Sequence, residues 1–396
     1  MATVDPISDI APTPAPSGVG LLVRVAAMPP DQLDIVIANL TAAFSPNDLL
    51  LATPNEVAAD AYRNLRVVST TAVDAAWSLH PGDFTHIWQL ADQNEARAIL
   101  ILGPESASLH PEALRNLAYA ALARTTDLII PCYELPARAA LVNSAILYPL
   151  TRALFATRVR FPLAVDLGLS PRMAARMAAA AQRFNTLNQS DALLWPVNEA
   201  STAGFTMEEI DVGPRALPQP PDTNINAILS RVAGSLFADV EAKATWWQRP
   251  RRVPPARNPM HEAPSADGSA EVARMIEAFT LAYSNLLEIW SLVLPPNTLI
   301  GLKRLSVSDA AHFRMADNLW ARIVYDFLVA YRLRTINRGH LLGALTPLYL
   351  AWVATHINVV ASGTSAERHI EEVASAFESE KPYLVSRWRW PDRFTS

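Results

Sequence analysis

The chain's 396 residues leave room for two or three domains and a sizeable apolar core. Apolar residues make up 51% and charged residues 18%, which excludes global disorder. A formal net charge of -5 argues against general attraction to nucleic acid or an anionic membrane, and a single cysteine, Cys132, excludes an internal disulfide and fits a reducing, cytoplasmic setting.

Residues 1–19, rich in Pro, Ala and Ser, read as a flexible leader, not as a secretory signal. From Gly20 to about Gly213, short apolar runs alternate with helical stretches. The runs 21–28, 48–53, 65–71, 97–103, 127–133 and 207–213 predict strands; 32–43, 54–64, 111–124, 137–155 and 171–185 predict helices. Such alternation predicts an α/β layer with a mostly parallel sheet, whose ligands sit beyond the carboxyl ends of the strands. Residues 246–268 carry four arginines among prolines. These could meet phosphates, but without interleaved aromatics the segment reads as a solvated connector. Beyond it, apolar residues fall at three- and four-residue spacing, as in Val272, Met275, Ile276, Phe279 and Tyr283, and predict helices. The apolar stretch 341–361 is long enough to cross a bilayer, yet Pro347, Thr355, His356 and Asn358 inside it predict a buried helix or helix pair. The expected organisation is therefore a leader (1–19), an α/β domain (20–245), a linker (246–270) and an α-helical domain (271–396).

"NSAILYPLTRALFATRVRFPLAVDLGLS" (143–170) resembles a segment of bacterial family-2-type glycosyltransferases close to mannosylglycerate synthase. The shared features are an Asn-Ser helix leading into Tyr-Pro-Leu-x-Arg and, later, an acid before Gly-x-Ser. "LWARIVYDFLVAYRL", "LLGALTPLYLAWVAT" and "KPYLVSRWRWP" resemble the same group's helical extension, and residues 191–215 its last strand–helix unit. The resemblance implies a Rossmann-like nucleotide-sugar-binding domain of the GT-A type followed by a helical domain. It also implies hexosyl transfer from a GDP- or UDP-linked donor to a glycerate-like acceptor. In that group a D-x-D motif and a later histidine hold Mg²⁺ or Mn²⁺, which neutralises the leaving diphosphate.

This sequence departs from the pattern at several of those positions. Gly103-Pro104-Glu105 stands in the D-x-D position, keeping one acid, and Leu217 stands where the histidine is expected. The run that would hold the nucleoside, 52–58, has no acid before Glu56; the phosphate loop, placed at 80–93, keeps Gly82 without a lysine. Ala164 and Val165 replace the paired glycines before the acid. No metal site is expected at Gly103–Glu105 without a bound diphosphate, so Mg²⁺ or Mn²⁺ belongs here only if the diverged site keeps activity.

The acids that transfer would use are Asp166 and Glu105, with Arg152 and Arg160 as phosphate or carboxylate contacts. Asp191, which opens a helix, is a further substrate contact or a cap. Asp166 lies between Val165 and Leu167, where an acid is costly unless paired. It is expected to contact a ligand or to be buried against an arginine, Arg160 or Arg152. Two readings stay open: a glycosyltransferase with a diverged or metal-independent donor site, and a catalytically silent relative serving as sensor, scaffold or subunit. The oligomeric state is left open.

Overall fold

The computed structural model describes residues 19–55, 65–70, 79–123, 125–186, 193–218, 224–251, 269–310 and 312–391. Its first half alternates strands and helices: β1 (Leu21–Val25), α1 (Pro30–Ala43), β2 (Leu49–Thr53), β3 (Arg66–Ser69), α2 (Pro81–Gln93), β4 (Ala98–Leu102), α3 (Pro111–Leu122) and β5 (Leu128–Glu134). There follow α4 (Tyr148–Phe155), β6 (Leu167–Leu169), α5 (Pro171–Thr186), α6 (Pro196–Ala203) and β7 (Met207–Pro214). All described secondary structure after β7 is helical: α7 (Ile225–Ala242), α8 (Ala244–Trp247), α9 (Ser269–Val293), α10 (Pro296–Ser306), α11 (Asp317–Leu333), α12 (Arg338–Ala361) and α13 (Ala366–Arg389).

The sheet has the order β3-β2-β1-β4-β6-β5-β7. The pairs β1–β2, β1–β4, β2–β3 and β5–β7 are parallel, whereas β6 runs antiparallel to both β4 and β5. Every residue of β1, β2 and β4 is buried, because helices cover both faces of a parallel sheet and continuous apolar runs suit it. The fold class is thus the expected one: α/β with a mostly parallel sheet, then a helical region.

Several elements differ from expectation. β6 lies where no strand was predicted; it spans only three residues, and its Gly168 allows close packing, since a Cβ there would meet the Ile129 Cβ at 3.0 Å. Residues 80–93 form α2 instead of a phosphate loop, with Pro81 in the first turn and the Asp83 carboxylate accepting the His80 N–H at 2.9 Å. The helix predicted over 137–155 begins only at residue 141 and opens with a π turn over Asn143–Leu147. The helix expected to open at Asp191 appears as α6, beginning at Pro196, and α7 falls where no helix was predicted. Most of the helix predicted over 54–64 lies outside the described residues, as does the expected leader up to residue 18.

The apolar core forms two large clusters. One surrounds the sheet with α1, α2, α3 and α5. The other joins α4, α7 and α8 to the helices after residue 270 and contains Trp247, Trp290, Trp320 and Trp352. α12 is apolar and long enough to cross a membrane, and 72% of its most apolar window is buried inside the protein.

Candidate functional site

Chemistry-bearing side chains converge at the carboxyl ends of β4, β5 and β7. Because β6 is antiparallel, pairing Ile101 with Leu167, the residue before it is delivered to that same end. That residue is Asp166, fully buried. Its Oδ1 accepts the Gly103 N–H at 2.9 Å and its Oδ2 accepts the Tyr133 hydroxyl at 2.9 Å. Arg215, the first residue after β7, completes the set: Nε donates to Oδ2 at 2.6 Å and Nη2 to Oδ1 at 3.0 Å. The carboxylate therefore accepts four hydrogen bonds, two of them in the fork geometry arginine offers.

Arg215 is as occupied as its partner. Nη2 also donates to the Pro104 carbonyl at 2.7 Å, and Nη1 donates to the Ala216 carbonyl. Four of its five N–H bonds are thereby engaged within the chain. Burial opposes the guanidinium charge, but Asp166 outweighs it and holds Arg215 above its ordinary range. Burial, reinforced by Asp166, pushes the Tyr133 phenol well above its usual value.

The surrounding space is filled from the chain itself. A Cβ on Gly103 would lie 2.8 Å from the Val165 Cβ, so Val165 rests directly on the loop after β4. Glu105 is exposed, in the left-handed region at φ 61°, and close enough to act electrostatically on Arg215. Among the described residues no cluster of three metal-ligating side chains forms, and with Glu105 the one acid of this loop, water or a bound diphosphate would have to supply most of a divalent cation's ligands. Past β1 and β2, the Asn55 amide donates to the Met28 carbonyl at 2.6 Å and its oxygen accepts the Met28 N–H at 3.2 Å, stitching together the segments that follow the two strands. At the start of α2, Asp83 pairs with Arg24 of β1 at 2.6 Å, both buried. Among the described residues, Tyr133, Val142, Phe161, Leu163, Val165 and Leu217 line an apolar cavity of about 190 Å³ next to this cluster.

The other expected site residues lie elsewhere. Arg160, expected to reach Asp166, instead grips Glu367 of α13 through Nε and Nη2 at 3.1 and 2.8 Å and donates to the Ser144 hydroxyl at 3.0 Å. Arg152 turns to the same helix, contacting Glu371 at 2.5 Å and Glu378 at 2.9 Å. Both are buried, and they fasten residues 143–160 to α13. Asp191 lies outside the described residues. Sequence reasoning missed Arg215 and Tyr133. Arg215 had a signal, since a basic residue directly after a strand lands at the same sheet end as Asp166; Tyr133 had none without the topology.

No family model and no curated protein matches the sequence. Among solved structures, glucosyl-3-phosphoglycerate synthase from Mycobacterium tuberculosis with phosphoglyceric acid is similar over 61% of this chain and 84% of its own, at 14% identity and a TM-score of 0.35. The same enzyme with Mn²⁺, uridine diphosphate and glucosyl-3-phosphoglycerate matches over 61% and 84%, at 14% identity and a TM-score of 0.36. CMP:2-keto-3-deoxy-manno-octonic acid synthetase with CTP matches over 56% of this chain and 99% of its own, at 11% identity and a TM-score of 0.31.

Proposed function

We propose that this chain is a glycosyltransferase-like protein of GT-A ancestry whose sugar-transfer site is closed, and that it acts as a non-catalytic binding or scaffold subunit. The observation that carries the reading is the saturation of Asp166 by Arg215, Tyr133 and Gly103. An acid that orients a sugar or acceptor hydroxyl needs a free lone pair, and this one is surrounded by four donors. Val165 over Gly103 and Asn55 across Met28 support the same reading on the donor side.

The rival reading, a metal-independent transferase in which Arg215 neutralises the diphosphate, has the charge in its favour. Arg215 offers it little, because a diphosphate would find one N–H of that side chain still free, and the side chain is fully buried. Among the described residues, the 190 Å³ cavity suits a small apolar group.

The test is a thermal-shift titration with UDP-glucose and GDP-mannose, with and without Mn²⁺, alongside release of UDP or GDP in the presence of 3-phosphoglycerate. The expected result is an unchanged unfolding temperature and release at the blank rate. Ligand at 100 times its dissociation constant would add about 2.7 kcal/mol. A saturable shift, with release abolished by Asp166→Asn, would establish an active enzyme.

A further inference from the structure

On the helical side, α13 and residues 248–251 enclose a cleft of about 760 Å³, a volume typical of small-molecule sites. It shares no lining residue with the cavity beside Asp166. Lys381, Val385 and Arg389 recur every four residues and so line it from one face of α13. Arg249 and Arg251 line the opposite wall. Two of these cations are held in place: the Arg251 guanidinium lies 4.1 Å from the centre of the Trp246 ring, and Arg389 Nε donates to the Gln248 side-chain oxygen at 3.2 Å.

Among the described residues, Glu378 is the one acid lining the cleft, and it is already taken by Arg152 at 2.9 Å and Arg158 at 3.8 Å. Among the described residues, no carboxylate forms an ion pair with Arg249, Arg251, Lys381 or Arg389. Four cations therefore face one concavity of a chain whose formal net charge is -5. Like charges gathered on concave walls repel one another and focus a positive potential into the space between them. Burial, then Arg251, pulls the Lys381 ammonium below its ordinary range, as such crowding requires. At the rim, Trp390 is 61% exposed, an indole face left open by the described residues.

We propose that this cleft binds a small phosphorylated molecule, its phosphate held by Arg249, Arg251, Lys381 and Arg389 and its flat or apolar body resting on Trp390 and Val385. Arginine forks match phosphate oxygens, and the cleft is far larger than a bare phosphate. The connector arginines thereby acquire a ligand through the fold, which brings two of them against α13. The site is independent of the sugar-transfer reading and stands if that reading fails.

The test is calorimetric titration of the full chain at low salt with phenyl phosphate and with inorganic phosphate, neither of which carries a nucleotide or a diphosphate. Phenyl phosphate is expected to bind more tightly than inorganic phosphate. The double variant Arg251→Gln/Lys381→Gln should weaken both about tenfold or more. Trp390→Ala should weaken phenyl phosphate alone, and Arg115→Gln, an exposed charge on α3, should change neither. Circular dichroism of each variant separates loss of binding from loss of fold. The proposal is overturned if neither probe binds at about 10 mM, if the double variant binds as the wild type does, or if Trp390→Ala leaves phenyl phosphate unaffected.

Discussion

Asp166 decides what the strand ends can do. Its burial beside an arginine was legible in the sequence, because an ionised carboxylate between Val165 and Leu167 cannot remain unpaired. The identity of the arginine was not legible. Arg152 and Arg160 are near in sequence, whereas Arg215 is 49 residues away and arrives only because β6 begins at the side of the sheet where β7 ends. Removing either partner strands a buried charge, so Asp166→Ala and Arg215→Ala should each destabilise the fold by about 3–5 kcal/mol. The double variant should fall short of the sum by about 1–3 kcal/mol in urea unfolding. Additive losses of under about 1 kcal/mol each would mean that the pair neither closes nor holds the site.

At the level of elements, the long apolar helices and the continuous strands were readable from period and composition. β6 and α2 were not: three residues carry no alternation, and His80-Pro81-Gly82 looks like a turn until Asp83 is seen as a capping residue. The joints between helices were equally hidden. At one of them His356 of α12 meets His369 of α13, their Nδ1 atoms 2.8 Å apart, while the Trp352 ring stacks on His356 at 5.2 Å. His369 Nε2 faces Asp317 of α11 at 3.3 Å, and His356 Nε2 lies 3.3 Å from the Ala137 carbonyl oxygen. Burial, then His369, pulls His356 down from 6.5 to about 4. The native state therefore binds fewer protons than the unfolded state in that interval. The stability this contributes is complete above about pH 6.5 and is lost as the pH falls toward 4. Asp326, pushed up to about 6 by burial, works in the opposite sense, its contribution being lost as the pH rises through 6, but it is common to wild type and variant. Unfolding free energies should thus show wild type losing stability faster than His356→Gln as the pH falls across this interval. Parallel curves would exclude His356 as the titrating group.

For the molecule as a whole, the division between a sheet layer and a helical region was visible in the shift from alternating runs to three- and four-residue spacing. How the two are joined was not, because α4 and α7 look like parts of the first half yet bury their apolar faces against α13 and α12. Arg152 and Arg160 complete that joint, which is why two residues with the appearance of ligand contacts point into the protein. On the proposed function, the strand ends, closed by Asp166 and Arg215, do not accept a metal–nucleotide complex. The most direct measurement is electron paramagnetic resonance of free Mn²⁺ in the presence of UDP, with and without one equivalent of the full chain. The predicted result is the same free Mn²⁺ signal in both samples; loss of one equivalent of signal on adding the wild type, restored by Asp166→Asn, would contradict it.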